Sequence, residues 1–128
     1  MLKTAKRAGT LALLTAALVG TSVASPAFAA NPEVQVFAFC KADGSYSFNA
    51  IGSGFPPVEQ QNIYSVATKY KIGGGKTTYT EGHGELFSSS SGYISTPTYF
   101  SSADSTNESV SVKVVIGGVA GTDAANCD

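Results

Sequence analysis

The stretch YTEGHGELF, Tyr79 to Phe87, holds the one histidine of the chain, His83, between two glycines and two carboxylates, Glu81 and Glu85. An imidazole flanked by carboxylates is a donor set for a metal ion or for proton transfer. Spacing argues against the metal. On a flat strand Glu81, His83 and Glu85 share a face, but a rise of about 3.3 Å per residue sets the two glutamate backbones roughly 13 Å apart. Zinc requires each ligand atom within about 2.2 Å. No second histidine exists to complete a site. The segment therefore reads as a turn, a glycine-rich bulge or loop tip with solvated charges. No metal and no cofactor is expected, and His83→Ala is expected to leave folding and binding nearly intact.

Other catalytic patterns fail on spacing. Serines are plentiful, but a Ser-His-Asp triad needs its base held by a third group. IGSGF misses the G-x-S-x-G nucleophile turn because Ile51 stands where the first glycine would be. YKIGGGKTT misses the phosphate-loop spacing because Tyr70 replaces the first glycine, and it reads as a hairpin turn. Nothing singles out a glycosidase-type pair among the acids. The six tyrosines fit cross-strand packing better than a sugar-stacking platform. Asn107-Glu108-Ser109 matches a glycosylation pattern. The chain is thus read as a non-enzyme.

The elements that must position these residues begin after residue 29. MLKTAKRAG carries Lys3, Lys6 and Arg7, an apolar run follows, and Ala27-Phe28-Ala29 closes it with small residues. That order predicts a secretory signal peptide over 1–29, with cleavage after Ala29 or Ala30, and a single domain over 30–128. The apolar run is shorter than the ~20 residues of a spanning helix. Past the signal stand five lysines, no arginine and nine acids, a net charge of −4. No basic patch is present for nucleic acid and no cationic cluster for a lipid surface. The two cysteines, Cys40 and Cys127, lie nearly the whole domain apart and predict one long-range disulfide in an exported chain.

Composition past Ala30 is that of pleated sheet. There is one leucine, Leu86, against five isoleucines and nine valines, and tryptophan is absent. Alternation marks EVQVFAFC, with Val34, Val36, Ala38 and Cys40 on one face, and SYSFNAIG. NIYSVATKYKI places Tyr64, Val66, Thr68, Tyr70 and Ile72 on one side and Lys69 and Lys71 on the other. GYISTPTYF is an edge-strand candidate because it contains Pro97. ESVSVKVVIGGV alternates Val110, Val112, Val114 and Ile116 with Ser111 and Lys113. KADGS, GSGFPPVEQQ, GGGK, SSSSG and SSADSTNES are turns and loops. The expected fold is all-β: an antiparallel, immunoglobulin-like β-sandwich of six or seven strands.

The signal peptide, the single long-range cysteine pair and YSFNAIGSGFPP together resemble small secreted immunoglobulin-like proteins of actinobacteria. The strand ending in G-x-G before a proline corner is similar to the early part of neocarzinostatin-type apoproteins, which carry two short-loop disulfides where this chain has one long one. In size and architecture the chain also resembles the adaptor subunit of the umbrella toxin particles secreted by Streptomyces.

The expectation is therefore a secreted, extracellular binding protein without catalysis. Its role would be that of an adaptor or accessory subunit contacting another secreted protein. The expected contact is strand addition along Asn31–Phe39, with Val34, Val36, Phe37 and Phe39 as partner-binding residues. The alternatives are a secreted inhibitor of an extracellular hydrolase, presenting a loop such as TPTYFSSAD, and an enzyme or carbohydrate-binding module using the tyrosines or EGHGE.

Overall fold

The computed structural model describes residues 31–128. The signal-peptide expectation over 1–29 lies outside the described residues. Eight strands follow in order: β1 Glu33–Cys40, β2 Tyr46–Ser53, β3 Gln60–Lys71, β4 Lys76–Phe87, β5 Ile94–Ser95, β6 Tyr99–Phe100, β7 Asn107–Ile116 and β8 Val119–Asn126. They form two antiparallel sheets, β1-β2-β5 with β6 also on β2, and β4-β3-β7-β8. The layered order is that of an immunoglobulin-like sandwich. Among the described residues no helix is long and apolar enough to cross a membrane.

The core lies where alternation directs it. Val36 and Ala38 from β1, Phe48 and Ala50 from β2, Ile63 and Ala67 from β3, and Val110, Val112, Val114 and Ile116 from β7 pack between the sheets. Val110, Val112 and Val114 of β7 are fully buried, so truncating one costs packing as well as transfer free energy.

Cys40 and Cys127 are disulfide-bonded, their Cα atoms 4.5 Å apart. The bridge joins the end of β1 to the end of β8, so it links one sheet to the other. On that side of the sandwich the two edge strands meet. The Asp123 carboxylate of β8 accepts a hydrogen bond from the Ala38 N–H at 2.9 Å. Gly121 lies so close that a side chain there would strike the Val34 carbonyl.

Four strand expectations change. The side of β3 that turns inward is the one carrying Lys69 and Lys71, together with Ile63, Ser65 and Ala67; Tyr64, Val66, Thr68 and Tyr70 face outward. The lysines tolerate this because both reach Asp104 at the end of the sandwich, at 3.5 and 2.7 Å. Lys71 Nζ also donates to Asn107 Oδ1 and Thr106 Oγ1. GYISTPTYF is two dipeptide strands rather than one, because Thr96-Pro97-Thr98 interrupts the ladder on β2. EGHGE, expected as a bulge or loop tip, is a bulge, and it lies within a twelve-residue strand, β4, rather than at a loop tip. VAGTDAAN, unmarked by composition, is β8.

Glycine is required where the β1–β2 turn packs on the loop before β7. Gly44 has φ 83°, and a Cβ there would collide with the Asp104 backbone. The reverse mismatch occurs at Val58, an exposed β-branched residue at φ 50°. Left-handed backbone costs such a residue about 1–2 kcal/mol. Val58→Gly is therefore expected to raise stability by about 0.5–1 kcal/mol, offset in part by the entropy of the unfolded chain. Chemical denaturation of the variant beside the parent measures it, and a loss of stability would contradict the strain.

Candidate functional site

The chemistry-bearing residue types converge on the side of the sandwich opposite the disulfide. β4 pairs with β3 in register Ser65↔Glu81 and Tyr64↔Gly82, then slips, with Asn62 opposite Glu85. His83 and Gly84 together stand opposite Ile63, one residue more than the partner strand, which makes a bulge, and Gly84 takes φ 79°. His83 lies two residues past Glu81, on the face that Ser65 and Ala67 turn inward, and the bulge inverts the alternation only after it. His83 Nε2 lies 2.8 Å from Ser65 Oγ, and the ring stacks on Tyr99 with centroids 3.9 Å apart. Phe48 packs edge-on to His83 at 6.1 Å and tilted to Tyr99 at 5.4 Å, and Tyr46 stacks on Phe48. The histidine thus bridges the sheets: its own strand belongs to one, and Tyr99, Phe48 and Tyr46 to the other.

Burial lowers the His83 pKa below the ordinary imidazole value, and the Glu81 carboxylate pulls in the opposite direction. The same desolvation, with Glu81 nearby, raises the Tyr99 phenol. Neutral imidazole is therefore the folded form around pH 7.

A serine bonded to a histidine beside a carboxylate has the composition of a hydrolytic triad, but the placement differs. Ser65 is 2% exposed, so its hydroxyl has no approach for a substrate carbonyl. Its bond to His83 instead satisfies a polar group that would otherwise be buried unpaired. Glu81 and Glu85 fall on opposite faces of β4, because the bulge inverts the alternation between them. Among the described residues no three His, Cys, Asp or Glu side chains come together as a metal site.

His83 is thus a packed, hydrogen-bonded residue, which corrects the expectation that it is dispensable for folding. His83→Ala is expected to cost about 1–3 kcal/mol, since it orphans Ser65 Oγ and removes the ring from Tyr99. The pH dependence follows from the sign of the shift. The folded state holds the His83 proton less tightly than the unfolded chain, whose imidazole titrates near 6.5. The associated stability is complete above that value and is lost as pH falls through it toward the lower folded pKa. Melting between pH 7.5 and 5 should show a drop that His83→Gln reduces. Equal drops in parent and variant would remove His83 as the source.

The tyrosines do not assemble into one platform. Tyr46 and Tyr99 belong to the inward cluster, Tyr64 and Tyr70 face outward on the other sheet, and Lys69 Nζ sits 4.9 Å over the Tyr79 ring. Asn107 is 3% exposed, and its amide nitrogen donates to the Gly44 carbonyl. A glycan on the folded protein has no room there. TPTYFSSAD is laid along β2, with Thr96 N–H donating to Ala50 O, Ser101 N–H to Tyr46 O and Asp104 N–H to Asp43 O. That is a tethered segment rather than a projecting inhibitory loop.

The four partner-binding residues separate by face. Val36 is buried in the core, and Val34 is partly buried against it. Along the backbone edge of β1, Asp123 and Gly121 of β8 lie against Ala38 and Val34. Phe37 and Phe39 point the other way. Register sets Phe39 beside Ser47 and Ser47 beside Phe100, with Phe37 beside Asn49 in the next row but one. Phe39 is 63% exposed and Phe100 is 81% exposed, and Ile51 lies on the same outward face. Past Ile51 the face runs into an open groove of about 610 Å³ lined by Glu33, Gln35, Tyr93 and Asp123, among others. Phe100 and Ile51 were missed at the sequence level. The signal available was Tyr99-Phe100, an aromatic pair of which an edge strand can bury only one.

No family model matches the chain, and no curated protein matches it. Among solved structures, the solution structure of CsgH from R. palustris is similar, with a TM-score of 0.43 and 13% identity over 77% of this chain and 92% of that one.

Proposed function

We propose that this protein is a non-catalytic binding module. It docks another secreted protein on the outward face of the β1-β2-β6 sheet and serves as an adaptor or accessory subunit. The observation that carries the reading is the pair Phe39 and Phe100, which flank Ser47 at 63% and 81% exposure. Small polar residues such as Ser47 and Asn49 fill the space between the rings, so aromatic area is displayed with almost no charge. Such surfaces are uncommon on free monomers and match the aromatic-rich centre of protein interfaces. Phe37 and Ile51 extend the contact. The resemblance to the adaptor of umbrella toxin particles offers one setting for such a contact, and the captured partner would name it.

The test is affinity capture of the tagged protein from its own culture medium, in parallel with a Phe39→Ser, Phe100→Ser double variant. A stoichiometric secreted partner held by the parent is expected, with recovery by the variant reduced at least tenfold, about the loss from two interface anchors of 1 kcal/mol or more each. Equal recovery by both would move the interface off this face. A hydrolase in the eluate with its activity blocked would favour the inhibitor reading instead.

A further inference from the structure

The geometry points to a second interface on a different part of the molecule: the free edge of β4 pairs with β4 of a second copy of this chain. The pairing is antiparallel about a two-fold axis at Tyr79, so that two four-stranded sheets become one of eight strands.

The sandwich presents few edges that can accept a strand. β1 and β8 meet each other through the Cys40–Cys127 bridge and the Asp123–Ala38 hydrogen bond. The β5–β6 edge is broken by Thr96-Pro97-Thr98. β4 is open: of its twelve residues only Thr77, His83 and Leu86 are even half-buried. Sheets ordinarily guard such an edge with proline, a bulge, a covering loop or inward-pointing charge. From Lys76 to Gly82 β4 has no proline and no bulge, and its two charges, Lys76 and Glu81, lie toward the ends of the run.

The unpaired groups can be assigned. Lys71 N–H donates to Gly75 O across the β3–β4 hairpin, whereas Ile72 N–H donates to Thr106 O on the other side. Odd-numbered β3 residues thus bond toward β4 and even-numbered ones toward β7. With Ser65↔Glu81 and Ala67↔Tyr79 in register, Thr77, Tyr79 and Glu81 spend their backbone groups on β3. Lys76, Thr78, Thr80 and Gly82 aim theirs outward, and all four are exposed.

A second copy centred on Tyr79 engages all four. Thr78 faces the partner's Thr80 and Lys76 faces the partner's Gly82, each as a hydrogen-bonded pair, and both pairs occur twice by symmetry. Tyr79 faces its own copy as a non-hydrogen-bonded pair, the closer kind, where aromatic pairs contribute most. Glu81 faces Thr77, so no like charges lie opposite one another. On the outward face Thr78, already 3.2 Å from Thr68, gains a threonine neighbour from the partner. The bulge at His83-Gly84 ends the run that can pair.

Sedimentation equilibrium of the full secreted chain tests this, with two variants that leave the fold's own ladder intact. Thr78→Pro removes a solvent-directed N–H, together with the exposed hydroxyl contact to Thr68, and is compatible with an edge strand. It is expected to weaken the dimer at least roughly tenfold. Tyr79→Cys places two sulfurs across the axis, at a Cα separation of about 4.5 Å, within disulfide range. It is expected to give a covalent dimer on mild oxidation, whereas Thr77→Cys, roughly 13 Å from its own copy, gives none. A monomer at every accessible concentration overturns the proposal. So does a dimer indifferent to Thr78→Pro, or one dissolved by Phe100→Ser instead, which would place the second copy on the aromatic face.

Discussion

Replacing Cys40 and Cys127 together by serine is expected to remove roughly 4–5 kcal/mol of stability, the largest effect of any change short of disrupting the core at several points. The bridge closes a loop with a sequence separation of 87, and the restraint on the unfolded chain grows with the logarithm of that length. A domain of this size has a net stability of about 5–15 kcal/mol, so the variant stands near the unfolding threshold. A fall in melting temperature on the order of 20 °C is expected by calorimetry. The position of the bridge adds to the argument. It joins β1 of one sheet to β8 of the other, and without it the Asp123–Ala38 hydrogen bond is the remaining polar tie described along that side. The double replacement avoids a lone thiol that could pair between molecules. A fall of only a few degrees would show that the unfolded chain is not restrained by the bridge as its length implies.

The second large effect is at Phe48. Its ring is 4% exposed and touches three other rings, those of Tyr46, His83 and Tyr99. Phe48→Ala is expected to cost about 3–5 kcal/mol, because the cavity opens between two sheets that cannot close upon it. The loss reaches beyond the core, since Phe48 backs the stack that seats His83 against Ser65 Oγ. Urea unfolding followed by far-ultraviolet circular dichroism measures the cost. Phe48→Leu, which retains most of the volume, should lose less than half as much. Equal costs for the two would mean that ring contacts, not volume, determine the site, and a cost under about 1 kcal/mol would place Phe48 outside the core.

Strands with strong alternation of valine and aromatic residues were legible directly. Glu33–Cys40 is the strand that EVQVFAFC predicts, and the β7 valines are the buried row that ESVSVKVVIGGV predicts. β8 was not legible. Ala120, Gly121, Ala124 and Ala125 have no strand preference, and at Gly121 a side chain is excluded because Val34 of β1 lies against it. β4 was misread for a related reason. Gly82 and Gly84 are turn signals in isolation, but the hairpin with β3 draws the whole segment into the sheet and uses Gly84 for a bulge. The face of β3 was hidden because the lysines at 69 and 71 sit on the inward side, a choice that makes sense only with Asp104 at the end of the sandwich.

The candidate surface divides in the same way. Phe37, Phe39, Val34 and Val36 were named together from the sequence, and period-two alternation sends the two phenylalanines and the two valines to opposite faces. What the sequence by itself determined is the all-β composition, the antiparallel sandwich, and the identity of the two cysteines that close it, because residue preference and alternation are local properties. Tertiary structure alone decided that His83 packs, half-buried, against Ser65 and Tyr99, that Phe39 and Phe100 share a face, and that β4 keeps an open edge. Each of these depends on which strands become neighbours and in what register, and that is fixed by contacts between residues tens of positions apart.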